Sequence, residues 1–442
     1  MIGKFTKDSL ITFSARFLNV ILGIVISVIV ARTLGPEKKG IYSLVILFQV
    51  ILINFADFGI GSSAVFYIGK KKYSLKEIFG ANILFSILIS ILTILIGLVI
   101  IFFFSDKVFP YVPREYLFSV LFLIPLWFFL KYIICIFSGI QNFKKYNLIN
   151  LIEPILFLAL MVIFLWQHCI TVSTIIMALI ISWFIPCVIL FFQIKKEIGR
   201  PVFSLNKNIF KDLFVYGIKN YLSNLFSVWQ SRIDTFLINI FLNPMAIGFY
   251  SIATGISEQL WLIPDSISTV LFPRVSSETN EKKIKEFTPI VCRNTLFIMS
   301  LLAAFLFLIG HWLITFLYSE QFINSVIPFQ ILLIGMVMLS GRIILAHDFF
   351  GRGKPMLNTY ITASALIINT ILNIILIPKF GIIGAATATS ISYAISFIIT
   401  SIVYIKISGN SIKDLVILKK DDIKLYQNLI ILIKNKYFNF SK

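Results

Sequence analysis

The chain has 442 residues, of which 58% are hydrophobic and 13% are charged, and its mean hydropathy is +0.94. Soluble domains have about 45–50% apolar and about 25% charged residues, so this composition excludes a soluble fold. Charged residues are spread from end to end between long uncharged runs, which leaves no extramembrane domain. The formal net charge of +19 would suggest nucleic acid as a partner of a soluble protein. In a membrane protein, the first question is instead on which side the basic residues lie.

The uncharged runs predict twelve membrane-spanning helices, because each is long enough for the roughly 20 residues that one crossing needs. Their apolar residues are continuous rather than alternating, which favours helices over barrel strands. The predicted spans are 9–31, 41–67, 78–104, 116–138, 148–166, 172–193, 213–241, 247–272, 289–318, 326–349, 357–378 and 381–405. The remaining C-terminal residues mix lysine with apolar and aromatic residues and predict a basic amphipathic surface helix or a frayed tail.

The distribution of Lys and Arg predicts the orientation in the membrane. One set of alternate loops, together with the termini, carries 27 basic residues, and the other set carries 6. The positive-inside rule therefore predicts that both termini are cytoplasmic, and an even number of spans agrees with this. The loops on the opposite side are too short for a folded catalytic domain, so we expect a protein that is not an enzyme.

An internal repeat divides the chain into two similar halves. Residues 34–36 (LGP) and 40–43 (GIYS) are echoed by 242–244 (LNP) and 248–251 (GFYS), at a constant shift of 208 residues. This shift maps helix 1 onto helix 7, which predicts two six-helix bundles that share one orientation and are related by a pseudo-two-fold axis along the membrane normal. The predicted units are an N-terminal lobe 1–194, a cytoplasmic connector 195–212, a C-terminal lobe 213–406 and a cytoplasmic tail 407–442.

Charged residues inside the predicted spans are candidates for function. Each costs at least about 2.5–3.5 kcal/mol at mid-membrane, so it should face water, a partner or a substrate. Depth estimates place Arg16 level with Asp57, and Arg232 level with Glu258, which predicts that each pair could form an ion pair. The spans contain Arg16, Lys131, Lys219, Arg232, Arg293, Arg342, Asp57, Glu153, Asp234, Glu258, Asp265 and Asp348.

The basic members of this set predict an anion site between the lobes. They include Arg16 on helix 1, Lys131 on helix 4, Lys219 and Arg232 on helix 7, and Arg342 on helix 10. The repeat pairs helix 1 with 7 and helix 4 with 10, so the basic groups lie on equivalent elements of both halves. The planar guanidinium of arginine matches phosphate oxygens, which favours a phosphate-bearing solute. The alternative is that these charges only fix the register of the helices in the bilayer.

Several short motifs resemble those of one transporter family. They are residues 31–36 (ARTLGP) with 40–43 (GIYS), 232–234 (RID), 248–253 (GFYSIA) and 270–274 (VLFPR). These motifs resemble the polysaccharide-repeat-unit (O-antigen and capsule-type) flippases, which share an exporter superfamily with multidrug (MATE) transporters and lipid II flippases. The resemblance extends over the whole chain in helix count, six-plus-six duplication and short outer loops.

The resemblance implies a bacterial inner-membrane flippase for an undecaprenyl-pyrophosphate-linked oligosaccharide, working by alternating access and coupled to a cation gradient as an antiporter. The implied pyrophosphate ligands are Arg16 and Arg232, followed by Lys131, Lys219 and Arg342. The implied coupling-ion ligands are Asp57, Asp234 and Glu258, which could exchange H⁺ or Na⁺. No metal or organic cofactor is expected, and the four cysteines have neither metal-site nor disulfide spacing. The expected partners are the lipid-linked glycan, membrane lipids and polysaccharide polymerase machinery, with no nucleic acid.

Three other classes remain as alternatives. A lipid II flippase usually has fourteen helices, and residues 411–442 do not supply two more. A drug exporter would favour an acidic, aromatic cavity, whereas this chain has a basic excess. A membrane glycan polymerase or ligase would need a sizeable outer loop. The sequence leaves open the glycan, the coupling ion, the oligomeric state and whether the product is O-antigen, capsule or a teichoic-type polymer.

Overall fold

The computed structural model describes residues 2–203, 207–278 and 280–422 of the chain. Within these ranges, it describes no side chains for residues 2–10, 219, 220, 223, 273, 277, 281 and 282. The predicted ligand Lys219 therefore has a position on a helix but no described side chain. Most of the predicted surface helix in the tail falls on residues 423–442, which lie outside the described residues.

The described residues form α-helices and two 3₁₀ turns, at Glu258–Trp261 and Glu320–Ser325, and they contain no strand. This confirms the predicted all-α class. In chain order the helices are α1 (Ile2–Ala56), α2 (Ile60–Gly69), α3 (Leu75–Val108), α4 (Arg114–Leu121), α5 (Leu123–Gly139), α6 (Phe143–Trp166), α7 (Val172–Ile198), α8 (Lys207–Phe241), α9 (Pro244–Ser257), α10 (Leu262–Ser277), α11 (Glu281–Tyr318), α12 (Val326–Gly351), α13 (Pro355–Ser408) and α14 (Ile412–Val416). We refer to α1–α7 as the N-terminal half and to α8–α14 as the C-terminal half.

Within the described residues, eight helical segments are long and apolar enough to cross a membrane. They are Ile11–Ala56, Leu75–Val108, Arg114–Gly139, Phe143–Trp166, Val172–Ile198, Lys283–Tyr318, Glu320–Gly351 and Pro355–Ser408. The predicted spans 213–241 and 247–272 have no counterpart among these eight. The first lies in α8, which carries charged residues along its length, and the second is divided between α9 and α10 by a 3₁₀ turn. The protein is therefore a multi-pass membrane protein, and the number of crossings stays a prediction.

Two pairs of predicted helices are each joined into one long element with a sharp break. The break in α1 is at Gly35, with a φ of 71°, and the break in α13 is at Gly381, with a φ of 60°. Both values lie in the left-handed region that glycine adopts without a steric penalty. Pro36 follows the first break, where its fixed φ suits the first turn of a new helical segment.

The predicted helix 41–67 is interrupted in the structure. Its first part ends with α1 at Ala56, and α2 begins at Ile60. Between them, Phe58 has a φ of 45° and Gly59 a φ of 68°, so the chain leaves the helical path for two residues. This break was not predicted, because the segment is largely apolar and Asp57 is its only charged residue.

The two copies of the repeated motif pack against each other. Gly40 of α1 contacts Pro244 at the start of α9, and Gly248 of α9 contacts Pro36 in return. A Cβ atom at either glycine would overlap the backbone carbonyl of the facing proline, so the approach depends on glycine at both positions. We call this end of the molecule, where α1 breaks and α9 begins, the closed end.

A second contact joins the two halves at the closed end. The guanidinium of Arg32 donates to the carbonyl oxygens of Phe316 and Leu317, with 2.7 Å between Nε and the Leu317 oxygen. These carbonyls belong to the last turn of α11, whose free acceptors and partial negative charge favour a cation. Tyr318 Oη lies 3.4 Å from Ser27 Oγ and joins the same two helices.

The opposite end carries most of the lysines of the predicted cytoplasmic loops, and we call it the basic end. There Lys72 and Tyr73 both donate hydrogen bonds to the Asp212 carboxylate of α8, with Tyr73 Oη 2.6 Å from Oδ2. These bonds lower the pKa of Asp212 below its ordinary value, and its carboxylate forms an ion pair with Lys72. Phe66 of α2 stacks on Tyr216 of α8 beside them, with ring centroids 4.2 Å apart.

Candidate substrate cavity between the two halves

A cavity of about 270 Å³ lies between α1 of the N-terminal half and the interrupted helix of the C-terminal half. Its wall in the C-terminal half includes part of the 3₁₀ turn that separates α9 from α10. Short 3₁₀ stretches inside helices often mark functional hinges. The lining residues are Arg16, Asn19, Val20, Glu258, Gln259, Trp261, Leu262 and Asp265.

Arg16 is the basic residue that borders this cavity. Its Nη1 atom lies 3.5 Å from Asp265 Oδ2, and about half of each side chain is exposed, 47% and 55%. An ion pair this exposed contributes little stability, so the guanidinium can exchange its partner for an anionic ligand at small cost. Asp265 stands 208 residues after Asp57, so the shift of the internal repeat relates these two carboxylates.

The predicted pairing of Arg16 with Asp57 is wrong. Arg16 pairs with Asp265 across the cavity, and Asp57 pairs with Lys131 of α5. The prediction assumed a continuous helix over 41–67, whereas Asp57 directly follows the end of α1 at Ala56. The helical register therefore does not set the direction of its side chain.

The predicted pairing of Arg232 with Glu258 is confirmed. The guanidinium donates two hydrogen bonds to the carboxylate, with Nη1–Oε1 at 3.1 Å and Nη2–Oε2 at 3.2 Å. This two-point geometry is the strongest form of an arginine–carboxylate contact. Glu258 lines the cavity, whereas Arg232 of α8 lies behind it and is linked to the cavity by this ion pair.

Asp57 and Lys131 form a separate charged pair inside the N-terminal half. Lys131 Nζ lies 2.8 Å from Asp57 Oδ2 and 4.4 Å from the ring centroid of Trp127. Tyr132 Oη donates to the backbone oxygen of Asp57 at 2.7 Å and holds the broken segment against α5. The other carboxylate oxygen, Oδ1, is buried without a hydrogen-bond partner among the described residues.

Removing the charge of Lys131 should destabilise the protein. Lys131→Met would leave Asp57 buried and unpaired, which costs about 3–5 kcal/mol for a fully buried pair. Because about a third of the Lys131 side chain is exposed, we expect the lower part of that range or less, about 2–3 kcal/mol. Thermal unfolding in detergent would measure it, and Asp57→Asn combined with Lys131→Met should recover most of the loss. A double variant as unstable as Lys131→Met alone would contradict this account of the pair.

Asp234 lies in a buried polar cluster of the C-terminal half. Tyr250 Oη donates a short hydrogen bond to its Oδ2, and the backbone N–H of Thr235 donates to Oδ1 at 2.6 Å. Thr389 Oγ1 of α13 lies 3.4 Å from Oδ2 and 3.5 Å from Asn369 Oδ1. The cluster therefore combines one carboxylate with hydroxyl and amide oxygens from three helices.

Asp234 was predicted from the sequence, but its partners were not. Asn369 and Asn373 stand four residues apart within the predicted span 357–378, so they share one helical face, and this spacing could have indicated a polar site. Asn373 Nδ2 donates to Asn369 Oδ1 at 2.7 Å. The described residues contain no group of three or more His, Cys, Asp or Glu that could hold a metal ion, so an ion at Asp234 would depend on neutral oxygen ligands.

Arg342 lies away from the inter-half cavity. It is 8% exposed, and its Nη2 atom donates to Asn358 Oδ1 at 3.1 Å and to the Thr362 hydroxyl. Its Nε has no hydrogen-bond partner among the described residues. Of the five predicted pyrophosphate ligands, Arg16 lines the cavity, and Arg232 pairs with Glu258, which lines it. The structure places Lys131 and Arg342 in other contacts.

Two of the residues that line the cavity each carry a buried polar atom that lacks a partner. Asn19 Oδ1 is an acceptor and Trp261 Nε1 is a donor, and neither has a hydrogen bond to any described residue. Buried polar groups are nearly always hydrogen-bonded in native proteins, because leaving one unpaired costs about 1–3 kcal/mol. Both atoms are closed to water in this conformation, so pairing them with a ligand requires the cavity wall to rearrange.

The whole fold matches known exporters. The chain is similar to the lipid II flippase MurJ in its inward closed conformation, with a TM-score of 0.73 and 20% identity over 97% of this chain and 93% of that chain. It is also similar to an inward-facing multidrug MATE transporter, with a TM-score of 0.70 and 16% identity over 91% and 98% of the two chains. The fold is therefore that of MATE-like exporters, as the sequence motifs predicted.

Sequence similarity identifies the family within this fold. Residues 29–327 match the model of the polysaccharide biosynthesis protein family, and the chain belongs to this family. It is 25% identical over 386 residues to a putative O-antigen transporter of Shigella flexneri, covering 82% of this chain and 88% of that protein. At the level of the family, the protein is a membrane transporter or flippase of polysaccharide biosynthesis rather than an enzyme.

Proposed function

We propose that this protein is a flippase that moves an undecaprenyl-pyrophosphate-linked oligosaccharide across the cytoplasmic membrane. The observation that carries the proposal is the half-exposed guanidinium of Arg16 at a cavity between the two halves, next to the Arg232–Glu258 pair. A pyrophosphate could replace Asp265 as the partner of Arg16. The similarity to an O-antigen transporter supports the same class of substrate.

The proposed architecture has twelve crossings in two six-helix lobes. The breaks at Gly35 and Gly381 would each turn a long helical element into two antiparallel crossings, and α8 and the interrupted α9–α10 would add two more. The proposed orientation places both termini and the basic end in the cytoplasm. In this orientation the closed end faces outward, and the cavity would take its substrate from the cytoplasmic leaflet.

Asp234 is the proposed site of the coupling ion, either H⁺ or Na⁺. It is the predicted acidic candidate that forms no ion pair with a described residue, whereas Asp57 pairs with Lys131 and Glu258 with Arg232. Moving one charge across a potential of 100 mV supplies about 2.3 kcal/mol, which is enough to bias the exchange between conformations. Tyr250 belongs to the GFYS motif next to the closed end, so a change at Asp234 could be transmitted there.

Replacing Asp234 should uncouple transport from the ion gradient. Asp234→Asn keeps the shape and the hydrogen bond to Tyr250 but removes the ionisable group. We expect it to bind the lipid-linked glycan normally, while an imposed proton or sodium gradient no longer accelerates flipping in proteoliposomes. Asp106→Asn, at the exposed pair with Arg114, is the matched control and should behave like the wild type. Unchanged stimulation by both gradients in Asp234→Asn would exclude this site.

Export of cationic drugs is a second candidate function. It is favoured by Glu258, Asp265 and Trp261, which give the cavity two carboxylates and an aromatic ring. Both carboxylates pair with arginine, however, so the cavity lacks the net negative charge that a cation would need.

Deletion of the gene separates the two functions. A glycan flippase predicts that lipid-linked oligosaccharide accumulates in the cytoplasmic leaflet and that surface polysaccharide is lost, with no change in drug sensitivity. A drug exporter predicts increased sensitivity to cationic drugs with normal polysaccharide. Normal levels of both the lipid-linked intermediate and the surface polymer would contradict the proposed function.

A further inference from the structure

A groove of about 510 Å³ lies at the basic end of the C-terminal half, away from the inter-half cavity. It is formed where the two ends of α13 meet, because the break at Gly381 brings the start and the finish of this long element together. The lining residues are Gly353, Lys354, Pro355, Met356, Leu357, Val403, Lys406 and Ile407. The groove therefore has an apolar floor with one lysine from each end of α13.

The two lysines are available for a ligand. Lys354 and Lys406 are both exposed, and neither forms an ion pair with a described residue. The nearby carboxylate of Asp348 is already used, because it accepts hydrogen bonds from Arg352 Nε and from Thr288 Oγ1. Two unpaired ammonium groups at the mouth of an apolar groove are complementary to a single anionic group with a hydrocarbon chain.

The apolar surface continues from the groove along α13. Met356, Tyr360, Ile367 and Ile371 are exposed on the first segment of α13, at spacings of four and seven residues that keep them on one helical face. Ile402 and Ile398 are exposed about one and two turns before Lys406 on the second segment. A hydrocarbon chain whose head lies at the lysines would therefore stay in contact with apolar side chains as it extends into the bilayer.

We infer that this groove binds one anionic phospholipid, with its phosphate between Lys354 and Lys406 and an acyl chain over Val403 and Leu357. Basic pockets between transmembrane helices at the membrane surface are a common form of acidic-lipid site. A lipid held here would tie the two ends of α13 together at the basic end. The site is separate from the proposed substrate cavity, so it does not depend on the proposed function.

The test measures the binding of defined lipids to the purified full-length protein by native mass spectrometry. Phosphatidylglycerol should bind at one site more tightly than phosphatidylcholine with the same chains. Lys354→Ala combined with Lys406→Ala should weaken phosphatidylglycerol binding about 30-fold, because two contributions of about 1 kcal/mol each add to about 2 kcal/mol. Lys379→Ala is the matched control, because this exposed lysine lies beside the break at Gly381 near the middle of α13, away from the groove.

A second variant tests the groove independently of its charge. Val403→Trp should fill the groove and reduce phosphatidylglycerol binding while both lysines remain. Inorganic phosphate at millimolar concentration should not displace the lipid, because it lacks the acyl chain. Equal binding of the two phospholipids, undiminished binding by the double lysine variant, or full displacement by phosphate would overturn the inference.

Discussion

Replacing Gly40 or Gly248 by alanine is expected to abolish transport, although the protein should still insert into the membrane. Each added methyl group would overlap a backbone carbonyl, of Pro244 or Pro36 respectively, and a carbonyl cannot rotate away as a side chain can. Overpacking of this kind typically costs about 1–3 kcal/mol or more. Here it would destabilise the conformation in which the closed end is shut. The equilibrium should shift to conformations in which this end is open, and alternation should stop.

Surface polysaccharide in a complemented deletion strain measures the loss of transport, and cysteine labelling measures the shift in conformation. In a Cys169→Ser background, Ser27→Cys should react faster with a membrane-impermeant maleimide when Gly40→Ala is present. Gly23→Ala is the matched control on the same helix, because a Cβ atom there meets nothing within 4 Å. Wild-type export by both Gly40→Ala and Gly248→Ala would show that the contact is not part of the transport cycle.

Removal of the arginine charges at the cavity is expected to weaken binding of a pyrophosphate-bearing lipid. A hydrogen bond to a charged group contributes about 1.5–3 kcal/mol, so Arg16→Ala should reduce affinity for polyprenyl pyrophosphate about 10- to 150-fold. Arg232 requires a paired change, Arg232→Gln with Glu258→Gln, because the single substitution would leave Glu258 without its partner. Titration of the labelled lipid against purified protein provides the measurement.

The control for this experiment is Arg114→Ala. Arg114 also pairs with an aspartate and is about half exposed, but it lies at the start of α4, away from the cavity. It should bind the lipid as the wild type does. If Arg16→Ala and the Arg232–Glu258 double variant both retained wild-type affinity, the arginines would have a structural role only, as in the alternative considered from the sequence.

The helical architecture could be predicted because membrane helices are encoded locally. Continuous apolar runs and the glycine and proline breaks set most helix positions without reference to tertiary contacts. The repeated motif at 34–43 and 242–251 marks helix ends, and in the structure its two copies also pack against each other at Gly40 and Gly248. That contact could not be deduced from the sequence, because it depends on how the two halves pack.

The charged sites were only partly predictable, and the helix breaks explain the difference. Depth along a straight helix placed Arg232 level with Glu258 correctly, because α8 is continuous and Glu258 keeps helical backbone angles after the end of α9. The same estimate failed for Asp57, which lies outside the helical register. Arg342 was predicted as an anion ligand because it is a basic residue within a predicted span. In the structure it instead donates hydrogen bonds to Asn358 and Thr362 inside the C-terminal half, and these contacts depend on tertiary packing that the sequence does not show.

Translocation by the purified protein shows directly whether the substrate path passes Arg16. Liposomes containing the protein would be loaded with a polyprenyl-pyrophosphate-linked oligosaccharide carrying a fluorescent label that a membrane-impermeant quencher can reach. The account predicts that the wild type exposes inner-leaflet lipid to the quencher well above the protein-free rate, and that Arg16→Ala does not. A wild-type rate equal to that of empty liposomes, or an undiminished rate in Arg16→Ala, would contradict a substrate path through the cavity at Arg16.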